Sequence, residues 1–282
     1  MDAQKTAELL ERLKTESARL IRMSDDATER LVRSMHDAEQ RLLERLAATI
    51  NDAPNLKALS VKRRIAWYTE NVEGTAGMLR ASGYNGAARE YLAALEKIAE
   101  QASVVTRVAS DAGFADIPAE FVEFLKGRNY KHLSFLGKQA VAKVDETLLE
   151  MTVGGHSRGA MLAEVKSVIT GKYPWGTKQG LFEWHAGTYV RTSAQRAAQM
   201  FMNSQAERYG LDDFLPTGPL DQNTRKFCRR LLMSGRTYTR AEIDAMSNGQ
   251  TRDVYTTFGG YNCRHKWVAV NAELAGQLAD AA

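Results

Sequence analysis

Apolar residues recur every three or four positions along the first half of the chain, the spacing of one face of an α-helix. No Pro or Gly precedes Pro54, and Leu31, Met35, Ala38, Leu42 and Leu46 form such a stripe, which predicts one long helix, or two in series, over residues 3–52. The remaining faces alternate in charge, with Glu8–Arg12 and Asp37–Arg41 at i,i+4 spacing. The heptad is not strict, so the stretch suits an intramolecular bundle at least as well as a free coiled coil.

NDAPNLKALS breaks the pattern, which resumes over 58–82, turns at SGYNG (82–86) and continues over 87–109. After DAGFADIPAE, Pro118 is placed to open a helix through Gly127, and KHLSFLGKQAVAKVDETLLEM predicts a further one. TVGGHSRGAML interrupts, a helix follows over 157–170, and GKYPWGTKQG reads as a loop. A long helix is expected over 181–208, with Gly210 just past its end as a C-cap. Beyond it the period shortens. Residues 254–258 and 267–270 lean towards strand, between glycine turns and two short helices at about 223–233 and 239–247. The expected fold is mainly α: long N-terminal helices packed as an irregular bundle, then a small α+β C-terminal unit with short strands. The expected divisions are a helical region at 1–150 for bundling or partner binding, a junction at 151–180, a C-terminal domain at 181–270 and a tail at 271–282.

The 282 residues suffice to bury a substantial core, and 44% apolar with 26% charged residues is ordinary for a globular protein. No apolar run reaches the length of a bilayer span, and the charged N-terminus MDAQKTAELLERLK carries no signal-peptide core, so folding in a cytoplasm and no membrane partner are expected. The net charge of +4 is unevenly placed: residues 221–270 hold nine Lys/Arg against four acids. Such a segment suits DNA, an acidic protein surface, or simply solvent.

GHSRG at 155–159 matches the G-x-S-x-G nucleophile elbow, but the residues before it are helical where that elbow needs a parallel sheet. Of the later histidines, His185 falls inside a predicted helix and His265 belongs to another cluster. Ser157 therefore reads as a helix N-cap. No P-loop, dinucleotide fingerprint, H-E-x-x-H or paired C-x-x-C occurs. What remains is Cys228, Cys263 and His265: two cysteines, the only ones in the chain, and a Cys-x-His pair. They suit a structural zinc ion if the fold brings Cys228 near, with Asp221 or His185 as candidate fourth ligand. Two reduced thiols packed as small apolar groups, a disulfide and a reactive thiol are the other readings. Without metal, no cofactor is expected.

Four pieces of the C-terminal third, in order, carry a resemblance. They are Arg191-Thr192 in VRTSAQRAAQ, then RYGLDDF, then Asp221-x-x-Thr224-Arg225-x-x-Cys228, then Asn262-Cys263-Arg264-His265 before an aromatic residue. Together they resemble the phage Mu F-like head morphogenesis (minor capsid) family over roughly residues 186–270, with Ser193 where the family often has an acid and His265 where Cys is commoner. The resemblance implies a structural, non-enzymatic protein of the virion, made in the host cytoplasm. It further implies association with portal or major capsid protein, contact with packaged DNA through 221–270, and several copies per particle. Arg191, Thr192, Asp221, Thr224, Arg225, Asn262 and Arg264 would be its structural motif. A metal-dependent hydrolase or nuclease built on Cys228, His265 and Asp221, a serine hydrolase built on Ser157, and a non-specific DNA-binding module are the alternatives.

Overall fold

A computed structural model describes residues 3–72, 74–110, 117–174, 176–177, 180 and 185–281. It is mainly helical with a small region of short antiparallel strands near the C-terminus, as the hydrophobic pattern requires. In chain order the helices are α1 (Ala3–Asn51), α2 (Val61–Asn71), α3 (Thr75–Ala81), α4 (Tyr84–Ser110), α5 (Ala119–Val153) and α6 (Arg158–Thr170). A two-residue hairpin, β1 (Lys172–Tyr173) with β2 (Gly176–Thr177), follows within the segment expected to be a loop. Then come a π-helical turn (His185–Val190), α7 (Arg191–Arg208), β3 (Asp213–Thr217), α8 (Lys226–Leu232), β4 (Tyr238–Thr239), α9 (Arg240–Asp244), α10 (Val254–Thr257), β5 (Lys266–Val270) and α11 (Ala272–Ala281).

Residues 3–51 form one uninterrupted helix, and Leu31, Met35, Ala38, Leu42 and Leu46 are all buried. Upstream the same seam continues through Leu13, Leu20 and Ala27, interleaved with buried Ser17 and Ser24. Ser24 and Thr28 spend their hydroxyls on the carbonyls of Leu20 (3.0 Å) and Ser24 (2.9 Å), which lets polar residues occupy a buried stripe.

Three boundaries differ from expectation. The SGYNG turn is confined to Ser82 and Gly83, because Tyr84 already begins α4. The 58–82 segment is split into α2 and α3 around residue 72. Gly127 ends nothing: α5 runs through it, with the carbonyl of Pro118 accepting from Phe121 N (3.0 Å) at the start of the helix.

Two compact units divide the chain, and both are discontinuous in sequence. One comprises Glu29–Tyr91 and Arg128–Tyr189. Within it Arg64 donates to the carbonyls of Leu56 and Val153, each at 2.8 Å, and Tyr84 donates to Leu133 O at 2.6 Å. Ser157 lies here too. It caps α6, its Oγ accepting from Ala160 N at 3.2 Å, and a helix rather than a strand leads into it.

The other unit comprises Met1–Thr28, Leu92–Gly127 and Val190–Ala282. Its C-terminal part is a three-stranded antiparallel sheet in the order β4-β3-β5, with β3 in the middle. The core against it includes Phe214, Cys228, Leu231, Tyr238, Ile243, Tyr255, Phe258, Cys263 and Trp267. Trp267 is fully buried; its ring lies 4.4 Å from that of Phe258 and 5.7 Å from that of Tyr238, and its Nε1 donates to Val254 O at 3.1 Å. Gly210 closes α7 as expected: its φ is +63° and Leu211 N reaches back to Ala206 O (2.9 Å), the bond that ends a helix on a left-handed residue.

Residues 254–258, expected as a strand, instead begin with α10. Asp253 Oδ1 accepts from Thr256 N at 2.9 Å, and this cap outweighs the β-leaning side chains of a four-residue segment. Conversely β3 has no counterpart in the expected strands, because Pro216 lies within it. Pro216 faces Trp267 in the ladder, and both the N–H and C=O of Trp267 are turned to a side chain of α7, so the missing proline N–H interrupts no bond.

Candidate metal centre

Three local structures bring the candidate ligands together. α8 carries Cys228 on its buried side. The turn after α10 presents Cys263, and the residues entering β5 present His265. The sulfurs of Cys228 and Cys263 are 3.8 Å apart, and Cys263 Sγ is 3.3 Å from His265 Nδ1. All three side chains are buried and their donor atoms lie within 4.8 Å of one another, a cluster able to hold a metal ion.

The surroundings prepare these atoms as ligands. His265 Nε2 is 2.9 Å from Pro219 O. A carbonyl only accepts, so Nε2 carries the proton and Nδ1 is left with its lone pair towards the sulfurs, the tautomer a metal-binding imidazole needs. Gly259 N donates to Cys263 Sγ at 3.2 Å. The hydrogen bond from Cys228 holds the Cys263 thiol well below its ordinary range, while Cys228, the donor of the pair and buried, is pushed up. Two glycines make the close approach feasible. A Cβ on Gly259 would strike Cys228 Sγ and stand 2.9 Å from Cys263 Sγ, and one on Gly218 (φ +143°) would stand 2.6 Å from His265 Cδ2.

The residues singled out by motif surround this cluster and hold one another. Asp221 Oδ1 accepts from Asn223 N (2.9 Å) and Thr224 Oγ1 (3.2 Å), and Thr224 Oγ1 accepts from Asp221 N (2.9 Å). Asp221 thus closes a turn and does not cap α8, whose N-cap is Arg225. Its other oxygen receives Arg264 NH2 at 2.5 Å, which with these donors holds the carboxyl below its usual range. Arg225 donates to Gly259 O (2.9 Å) and Tyr261 O (2.6 Å). Asn262 has φ +56°, and its N–H donates to Thr192 Oγ1 at 3.1 Å. Arg191, next to Thr192 at the start of α7, is exposed. Phe258 at φ +50°, ψ −103° is a strained, bulky residue within the same turn.

Neither proposed fourth ligand is placed as one. Asp221 is engaged by Arg264, and among the described residues no carboxylate or second histidine joins the cluster. The His185 side chain lies outside what is described.

Several positions that hold this region together give no sign of themselves in the sequence. Thr192, Gln195, Gln199 and Asn203 form a buried polar stripe on α7. Gln195 donates to Asp25 Oδ1 at 3.1 Å, and its carbonyl accepts from Lys266 Nζ at 2.9 Å. Gln199 exchanges two bonds with the backbone of Trp267, and Asn203 donates to Tyr255 O at 3.4 Å. The only available signal was amides at helical spacing on an alanine-rich face. Lys266, counted within the basic segment, is buried, and burial pushes its pKa down to about 8. Arg225, Arg236, Arg240 and Arg264 are likewise engaged within the fold. Arg229 donates to Asp221 O at 2.9 Å, and Lys226, Arg230 and Arg252 are the exposed remainder. No helix among the described residues is long and apolar enough to cross a membrane. Compared with protein-family models, with curated proteins and with solved structures, the chain matches none.

Proposed function

We propose that this chain is a structural part of a phage head, a minor capsid or head morphogenesis protein, and that a structural zinc ion on Cys228, Cys263 and His265 staples its C-terminal clasp. The observation that carries the reading is mutual use of the motif. Thr192 meets Asn262, Asp221 meets Arg264, Arg225 meets the carbonyls of Gly259 and Tyr261, and Cys228 meets Cys263. Residues kept for a reactant leave polar ends free for it. Here the polar ends of Thr192, Asp221, Thr224, Arg225 and Arg264 are bound to one another or to the backbone of the adjoining turns, as a joint between distant chain segments requires.

The sulfur spacing supports the staple. Two thiolates on a tetrahedral zinc with bonds of about 2.3 Å stand about 3.8 Å apart, and the pair here is at 3.8 Å. A small unit with short strands gains most from such a link. In this reading the protein is made in the host cytoplasm and built into the virion in several copies, against portal or major capsid protein. The exposed Lys226, Arg230 and Arg252 face packaged DNA or an acidic surface. A mass-spectrometric inventory of purified particles at each assembly stage tests it: the chain should be present with portal and capsid proteins, and its absence from every stage would sink the proposal. Elemental analysis of the purified chain should return one zinc per molecule.

A further inference from the structure

Three protein ligands leave a tetrahedral ion one short, and the structure suggests what fills the place. Beside the cluster lies a cavity of about 10 Å³, bordered by Cys263, His265, Thr192, Thr257, Arg196 and Lys266. That is close to the smallest space that accepts one water, and a water needs two to four polar partners to stay. The walls offer them. Arg196 Nε is buried without a hydrogen-bond partner, an uncommon condition for a guanidinium N–H and a costly one unless something accepts from it.

We infer that the metal held by Cys228, Cys263 and His265 carries a solvent molecule as its fourth ligand, seated in this cavity and accepting a hydrogen bond from Arg196. The inference rests on the metal reading above and deepens it: the class of ion is a divalent, thiophilic one, bound as two sulfurs, one nitrogen and one oxygen. Both sulfurs bind as thiolates, the proton they share leaving as the ion enters, and the water replaces the fourth side chain that a closed structural site would supply. The oxygen ligand is exchangeable, and the space around it admits nothing much larger than itself.

The test uses the full chain loaded with cobalt(II). X-ray absorption should show two sulfur and two nitrogen or oxygen neighbours, and transfer into ¹⁷O-enriched water should add an ¹⁷O hyperfine coupling in pulsed paramagnetic resonance. Uptake of cobalt with no ¹⁷O coupling overturns the solvent ligand alone and leaves the staple standing. Failure to take up cobalt or zinc overturns both, without touching the virion reading. As a second measurement, Arg196→Met should weaken cobalt binding about tenfold, the usual cost of losing a partner to a metal's ligand, whereas exposed Arg230→Met should leave it unchanged. Equal binding by the two variants would remove Arg196 from the site.

Discussion

Gln199 and Trp267 exchange two hydrogen bonds of 2.9 Å: the amide nitrogen donates to the tryptophan carbonyl, and the amide oxygen accepts from the tryptophan N–H. A side chain on α7 thereby stands in for a neighbouring strand along the outer edge of β5. Gln199→Leu keeps most of the volume and leaves both backbone groups buried and unpaired. At about 1–3 kcal/mol for each unsatisfied group, the variant should lose roughly 3 kcal/mol in urea denaturation. A loss below about 1 kcal/mol would show that the backbone finds other partners.

The Asp221–Arg264 contact sets a pH dependence. The Asp221 carboxyl is held below its ordinary 3.8, so the unfolded chain takes up its proton first as the pH falls. The contact therefore contributes fully above pH 4 and is lost on acidification through the lowered folded-state value. Melting temperature followed from pH 7 to pH 3 should fall more steeply for the wild type than for Asp221→Asn, which carries no proton to exchange. Parallel curves would remove this pair from the acid response.

Gly259→Ala tests the closeness of the backbone to the sulfurs. Gly259 is not in a left-handed conformation, so the effect is steric: the added methyl meets both Sγ atoms. A cost of about 1–3 kcal/mol is expected from overpacking, together with loss of zinc by elemental analysis. Retained stoichiometric zinc would place the ion elsewhere.

Ser157→Ala should cost about 1 kcal/mol through loss of the α6 cap, and Ser157→Asn, another capping residue, should restore most of it. Thermal unfolding reads both. Restoration by asparagine would not follow if the hydroxyl were needed for its chemistry.

Gly127→Ala probes the uninterrupted course of α5. Nothing lies within 4 Å of the Cβ it would add. Removing a glycine from a helix interior should stabilise the protein by about 0.5–1 kcal/mol. Destabilisation would mean that the chain needs to bend there.

The parts of this architecture legible in sequence are those where one local signal dominates. Leu31 to Leu46 announce their helix, Gly210 its end and Ser157 a beginning, because each position follows from backbone geometry alone. The stretches misread are those where a residue outside the segment decides. Pro216 hides a strand whose partner, Trp267, already bonds to α7. Asp253 makes a helix of residues that favour a strand. The candidate site divides the same way. Cys228, Cys263 and His265 stand out by chemistry, and the Asp221 turn by spacing, whereas Gln195, Gln199, Asn203 and buried Lys266 act only on chain brought to them by folding.

The middle strand of the C-terminal sheet is synthesised before either of its neighbours. A ribosome that has delivered Asp213–Thr217 has made a ribbon with two bare sides, one covered only by residues 238–239 and the other only by residues 266–270. Until residue 263 follows, Cys228 also waits for its companion, so this part of the protein closes only after its last strand is made. A chain cut short anywhere before residue 266 would keep that ribbon open and would be the form most prone to clump.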